Sequence, residues 1–248
     1  MVIIVKYGEI ALKGQNRNLF EKRLVKNIRN CLEKNKIEYK YIERALGRIL
    51  IDTEDECKCL NYVYGINSFS NAIQIKLDLD KIKEESLNHY KKGTFRISVK
   101  RVNKVLKKSV ELEQDIGAYI VEKTKAKVNL KEPKTNIQIE IFKDKALVYS
   151  KKNLGLKGLP VGIEGQVAVL LEDKDSIEAA KLMMKRGCEI ILIKVNEINY
   201  SELKKYEYGF KLRIYDEIPN YVLAIVTSET LETLKKRDLG KPILRPLI

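Results

Sequence analysis

Val167-Ala168-Val169-Leu170-Leu171 is an uninterrupted apolar run, and it gives way at once to Glu172-Asp173-Lys174-Asp175-Ser176 and then to a helical pattern. A strand, a tight loop and a helix start in that order predict a βα unit of a parallel sheet. The alternation continues downstream. The helical pattern runs from Ser176 to Arg186, and strand follows over Glu189 to Val195. Next come helix over Ser201 to Tyr208, strands over Lys211 to Tyr215 and Tyr221 to Thr227, and helix over Glu229 to Lys236. This reads as a short Rossmann-like α/β domain. Such a loop usually takes an anion, because free backbone N–H groups and the positive end of the helix dipole point at it, and glycines let the backbone close on a phosphate. Here Glu172 and Asp173 stand where the phosphate oxygens would sit. Like charges at that range cost roughly several kcal/mol in a poorly solvated loop, so the site reads as disarmed.

Upstream, Val2 to Tyr7 reads as a strand, and the turn from Lys13 to Asn18 leads into a helix with the apolar face Phe20, Leu24, Ile28, Cys31 and Leu32. Strands over Ile37 to Ile42 and Arg48 to Ile51 and a helical turn over Asp55 to Val63 complete a small ferredoxin-like unit, with helices on one face of an antiparallel sheet. After the break at Gly65-Ile66-Asn67 come strand (Ser68 to Leu77), helix (Leu79 to Tyr90), strand (Thr94 to Lys100) and helix (Ser109 to Thr124). A hairpin over Asn136 to Phe142 and Ala146 to Ser150, turned at Lys143-Asp144, closes this part. The boundaries expected are 1–64, 65–158 and 159–248.

Charge is placed unevenly. From Gly162 to Ile248 there are 14 Lys plus Arg and 14 Asp plus Glu, so the residues before Gly162 carry the whole net charge of +14. A basic surplus confined to one part of a chain reads as a polyanion-binding surface, nucleic acid first. A highly charged thermophile surface would add both signs evenly. The densest run is Arg96, Lys100, Arg101, Asn103, Lys104, Lys107 and Lys108, which ends a strand and enters a loop. Lys13, Asn16, Arg17, Arg44 and Arg48 form a weaker second set. Phosphate contacts of this kind give affinity and position without reading bases. Lys6, Tyr7 and Glu9 read as turn chemistry, Ser176 as a helix N-cap, and Arg245 as a tie for the terminus. His89, the one histidine, reads as a surface residue. Cys31, Cys57, Cys59 and Cys188 lack zinc spacing and read as buried thiols, so no metal is expected. No apolar stretch approaches the roughly 20 residues a membrane helix needs, and the expected compartment is the cytoplasm.

Several motifs together resemble one family along the whole chain. They are Lys6-Tyr7-Gly8-Glu9-Ile10-Ala11-Leu12-Lys13-Gly14-Gln15-Asn16-Arg17, the stretch from Phe95 to Lys104, Gly117-Ala118-Tyr119-Ile120-Val121 and Lys145-Ala146-Leu147-Val148-Tyr149. Further on lie Gly158-Leu159-Pro160-Val161-Gly162, Leu182 to Gly187, Val226-Thr227-Ser228-Glu229-Thr230-Leu231 and Pro242 to Ile248. In order and spacing they resemble the tRNA 4-thiouridine synthetases, the ThiI-type tRNA sulfurtransferases. The resemblance implies α+β N-terminal ferredoxin-like and THUMP domains followed by a truncated Rossmann-like α/β domain, with THUMP over 65–158. It also implies that the basic set holds the acceptor stem and 3′ end of tRNA.

The family's ATP-pyrophosphatase (PP) loop, S-G-G-x-D-S, falls on Leu171 to Ser176, where Asp175 and Ser176 are the vestige of its nucleotide site. No cysteine follows Cys188. What is expected is therefore a tRNA-binding relative with a degenerate PP-loop, without pyrophosphatase or sulfurtransferase activity of its own, without catalytic residues and without cofactor. It would be a homodimer held by the neutral C-terminal part. The alternative is an active sulfurtransferase or adenylating subunit completed by a catalytic partner protein.

Overall fold

The computed structural model describes residues 1–248. They group into two compact units that interleave along the chain. Met1–Val5, Tyr39–Glu54 and Phe69–Asn153 form the first; Lys6–Glu38, Asp55–Ser68 and Leu154–Ile248 form the second.

The first unit is built on strands β1 (Val2–Lys6), β2 (Tyr41–Ala45), β3 (Arg48–Asp52), β4 (Ser68–Lys76), β5 (Phe95–Arg101), β6 (Thr135–Ile141), β7 (Lys145–Tyr149) and the two-residue β8 (Asn153–Leu154). They make one eight-stranded sheet in the order β2-β3-β1-β4-β7-β6-β5, with β8 beside β4. The β2–β3 and β6–β7 hairpins are antiparallel, and β5 runs parallel to β6. Strand β2 starts later than the apolar pattern from Ile37 suggests, because residues 35–37 fold back onto the end of the preceding helix, with Ile37 N–H on Leu32 O at 3.0 Å.

Helices α2 (Leu79–His89) and α3 (Ser109–Thr124) cover one face of the β4–β7 sheet region. Asp78 caps α2 by accepting from the amides of Asp80 and Lys81. Alternation puts every second strand residue on the helix side. Thus Phe95, Ile97 and Val99 of β5 and Ile137, Ile139 and Ile141 of β6 pack with Ile82, Leu112, Ile116 and Ile120. A second cluster joins Val2, Ile4 and Leu50 to Ala72, Leu147 and Tyr149.

An ion pair lies inside this unit. Arg48 (6% exposed) is bonded to the carboxylate of Glu140 (1% exposed), whose Oε1 accepts the Tyr149 hydroxyl at 2.9 Å. Burial and Glu140 push the Tyr149 phenol well above its usual range. This corrects the expectation that Arg48 belongs to the RNA-contacting set: its guanidinium is committed to a buried carboxylate and does not reach solvent.

The second unit carries a five-stranded sheet in the order β11 (Ile214–Tyr215), β10 (Glu189–Lys194), β9 (Gln166–Leu171), β12 (Ala224–Val226), β13 (Ile243–Leu244), parallel throughout. Val167, Val169 and Leu171 point to α4 (Ser176–Lys185), where they meet Ala180 and Met184. Ala168 and Leu170 point the other way, to Ile191, Ile193, Val222 and Ile225. Cover on both faces is why β9 and β10 read as continuous apolar runs.

Helix α1 (Arg17–Lys34) also belongs to this unit. Its polar side chains hold the turns of the C-terminal part. Arg23 Nε and Asn27 Nδ2 donate to Val161 O at 2.7 and 3.0 Å, and Arg23 Nη2 donates to Gly209 O at 3.0 Å. Asn30 Oδ1 accepts the Gly209 amide at 2.9 Å. Gly209 sits at φ +80°, and a Cβ there would lie 1.9 Å from Asn27 Oδ1.

Two expected helices are corrected. Residues Ser201–Tyr206 form a 3₁₀ helix rather than an α-helix to Tyr208. Residues 229–236 form no helix, only a turn over 231–233. There Thr233 Oγ1 takes the Thr230 amide at 2.9 Å, a side-chain bond that competes with the helical ladder. No helix is long and apolar enough to cross a membrane.

Candidate nucleic-acid interface

Residues 71–151 contain 19 Lys plus Arg against 11 Asp plus Glu. On β5 the strand's alternation divides the basic run. Arg96, Ser98 and Lys100 face away from the helices, while Arg101 follows Phe95, Ile97 and Val99 on the helix side. Arg96 Nη1 is held by Leu130 O at 2.9 Å and Arg101 Nη1 by Leu106 O at 3.5 Å.

Lys100, Lys104 and Lys108 are exposed, and Asn103 is half-buried. Lys107 is paired with Asp115 at 2.7 Å, and that contact raises its ammonium above the usual range. Arg44 is exposed on β2.

The remaining expected residues lie in the second unit, in the motif 6–17. Asn16 is exposed at the end of a 3₁₀ turn, Gly14–Asn16. Lys13 Nζ stands 4.7 Å over the Phe20 ring and 3.9 Å from Glu164. Arg17 Nε lies 3.4 Å from Glu21, which also accepts the Tyr7 hydroxyl; burial first, then Glu21, pushes that phenol up to about 12. Lys13 and Arg17 are thus partly spent on local contacts. His89 is half-buried, with Nδ1 3.2 Å from Ser150 Oγ and Nε2 3.4 Å from Glu85; burial holds its pKa below the usual value despite that carboxylate.

Sequence reading missed an apolar groove of about 470 Å³ on the helix side of β5, lined by Phe95, Ile97, Val121, Val128 and Leu130 with Val110 at its rim. Gly117 of α3 leaves open space where a side chain would stand. The outer edge of β5 is already used: Phe95 bridges to residues 127–129, and Glu113 takes the Val99 amide at 2.8 Å. No strand-pairing edge is offered along it. The signal was present in Val128 and Leu130, two apolar residues in a lysine-rich loop.

The acidic loop is arranged differently from its sequence reading. Ser176 Oγ accepts the amides of Glu172 and Asp173 at 3.1 and 3.3 Å, and Asp173 Oδ1 accepts the Ser176 amide at 3.0 Å. Ser176 is therefore not the N-cap. That position is Asp175, which makes no side-chain cap bond, and the hydroxyl of Ser176 fills the cradle from inside.

The two carboxylates do not confront a common point. Asp173 turns onto α4, and Glu172 is ion-paired with Arg237. Arg237 Nε is also 2.8 Å from Glu229 Oε1, and Arg245 Nε is 2.6 Å from Glu229 Oε2. Burial alone would raise the Glu229 pKa, but Arg245 and Arg237 outweigh it and hold the carboxyl below the usual range. The cleft beside the loop, about 340 Å³, is lined by Glu172, Asp173, Asn196, Glu229, Lys235 and Arg237. The loop amides of Glu172, Asp173 and Ser176 are occupied, and Arg237 is matched by Glu172 and Glu229. Arg237 and Glu229 were missed because residues 229–236 read as a helix.

Residues 2–70 match the family model of the ThiI ferredoxin-like domain, and residues 71–151 that of the THUMP domain. The probable tRNA sulfurtransferase of Thermococcus kodakarensis is 35% identical over 266 residues, covering 97% of this chain and 68% of that protein. That of Caldanaerobacter subterraneus is 37% identical, covering 100% and 81%, and that of Geobacillus kaustophilus 38% identical, covering 76% and 50%. The chain thus spans from half to about four-fifths of the length of these relatives. The crystal structure of PH1313 from Pyrococcus horikoshii superposes with a TM-score of 0.89 at 31% identity, covering all of this chain and 94% of that one. A 4-thiouridine synthetase solved with RNA and ATP shares the fold, with a TM-score of 0.76 at 24% identity over 99% of this chain and 80% of that one.

Proposed function

This chain belongs to the tRNA sulfurtransferase family, and from that premise we propose that it binds tRNA by the acceptor end without itself activating the RNA with ATP. The observation that carries the reading is a contrast within one molecule. The THUMP part presents exposed cations and an open apolar groove, whereas the loop that would hold a triphosphate is filled by Ser176, with Asp173 bound to Ser176 and Glu172 to Arg237. Lys104 and Lys108 supply phosphate contacts where the loop enters α3, and the groove supplies a dry bed for an unpaired base.

The test is tRNA binding across a salt series, with Lys100, Lys104 and Lys108 replaced together by Ala. Every phosphate left without its lysine takes roughly 0.9 from the slope of log affinity against log salt, so the slope flattens by about 2 to 3. Lys107→Ala, whose charge Asp115 already offsets, changes it less. An unchanged slope in the folded triple variant refutes this surface. Release of AMP and pyrophosphate from ATP by the purified chain refutes the second half of the reading and favours an adenylating subunit. The neutral 162–248 part is the proposed meeting surface of a homodimer; a monomer by light scattering at micromolar concentration overturns that element alone.

A further inference from the structure

The apolar groove beside β5 has two polar side chains in its wall, Glu113 and Gln114. Helix α3 turns Val110, Glu113, Gln114, Gly117 and Val121 toward it, a spacing of three and four residues that keeps them on one helix face. Gly117 gives the groove its depth, since nothing lies within 4 Å of where its Cβ would stand. Val110, Val128 and Leu130 are 61%, 49% and 64% exposed, so the apolar wall is open.

The two polar groups differ in how far they are fixed. Glu113 is half-buried, and its Oε1 accepts the Val99 amide at 2.8 Å. That bond ties the carboxylate to the strand edge and leaves Oε2 without a donor or a cation from the protein, in a domain where Lys plus Arg outnumber Asp plus Glu 19 to 11. Gln114 is exposed and makes no hydrogen bond within the protein, so its carboxamide can turn either its donor or its acceptor to a ligand. An unpaired carboxylate oxygen repels phosphate, and the backbone of a strand lying in the groove is kept off this point. What meets Glu113 is then a base edge. A fixed acceptor calls for a donor there. Adenine, cytosine and guanine each carry an exocyclic amino group, whereas uracil offers a single N–H flanked by carbonyl oxygens that face the carboxylate with like partial charge.

From this arrangement we propose that the groove is a base-reading subsite that takes an unpaired base with an exocyclic amino group and turns away uracil, with Glu113 as the specificity-determining residue. This subsite rests on the tRNA binding proposed above and gives that binding a base preference. The base lies against Val128 and Leu130 over Gly117, and its amino group donates to Glu113 Oε2. Gln114 pairs with the neighbouring ring nitrogen or carbonyl of whichever base is present, so it adds affinity without choosing.

The test compares RNA hairpins that differ only in a single-stranded 3′ tail of cytidines or of uridines, because these bases match in ring size and differ in the amino group. The full chain should bind the cytidine tail at least about five-fold more tightly, the low end of what a well-placed base contact discriminates. Glu113→Gln keeps an oxygen for the Val99 amide and presents an NH2 group in place of Oε2, so the preference should fall to parity or reverse towards uridine. Gly117→Leu fills the open space on α3 and should bind both tails no more tightly than a blunt hairpin, with the wild-type salt slope, since no cation is removed. Equal affinity of the wild type for the two tails, or a cytidine preference that survives Glu113→Gln, overturns the subsite and leaves salt-dependent tRNA binding standing. Absence of salt-dependent binding to every hairpin overturns both. If Gly117→Leu does not fold by circular dichroism, the Glu113→Gln comparison alone decides.

Discussion

Arg48 tests whether a cation in a basic chain can be read as surface. Its guanidinium and the Glu140 carboxylate are both almost fully buried, and Tyr149 donates to the same carboxylate from 2.9 Å. Replacing Arg48 by Met keeps the apolar stem and deletes the charge, so Glu140 is left in the core with the Tyr149 phenol beside it but no cation. Breaking a buried pair from one side costs about 3 to 5 kcal/mol, whereas replacing both members by apolar residues is often close to neutral. A chain of this size loses roughly 2 to 4 °C of melting temperature per kcal/mol. Arg48→Met should therefore melt on the order of 10 °C below wild type, and Arg48→Met with Glu140→Leu should recover part of that drop. The assay is urea and thermal unfolding followed by circular dichroism, run beside tRNA titration at a temperature where both variants are folded. A stability within about 1 kcal/mol of wild type, well below the range for a broken buried pair, refutes the burial argument. So does a drop in tRNA affinity without a drop in stability, because Arg48 would then be an RNA ligand.

Two further outcomes follow from the second unit. Glu229 is held below the usual carboxylate range by Arg245 and Arg237 against the opposing effect of burial, so its contribution is present above the unfolded pKa of about 4.3 and is lost as pH falls through the lower folded value. Arg245→Met should cost about 1 to 3 kcal/mol at pH 7 and shrink the fall in melting temperature between pH 7 and pH 3, a fall equal to wild type refuting the pairing. Gly209→Ala should lose about 2 kcal/mol or more, since positive φ and a Cβ 1.9 Å from Asn27 Oδ1 combine there. Gly14→Ala, at φ +51° with nothing within 4 Å, should lose clearly less in the same thermal melts, and equal losses would show that the α1 contact contributes nothing.

Local pattern sufficed wherever a segment's burial matched its own periodicity. The apolar runs of β9 and β10 announced strands of a parallel α/β sheet, and the helix read over Ser109 to Thr124 is α3. The hairpin turn at Lys143-Asp144 and the family motifs were legible for the same reason, being short and contiguous. What sequence could not decide was the partner of each charge. Arg48 and Lys100 are both cations on strands of one sheet, yet one is buried against Glu140 and the other faces solvent, because packing across non-adjacent strands sets which side is covered. The acidic loop shows the same limit. Glu172 and Asp173 read as mutual repulsion until Arg237, 65 residues on, and Ser176 are brought to them. Composition and periodicity set which elements form, since those energies are local; Coulombic and hydrogen-bond partners depend on distances that only the folded chain creates.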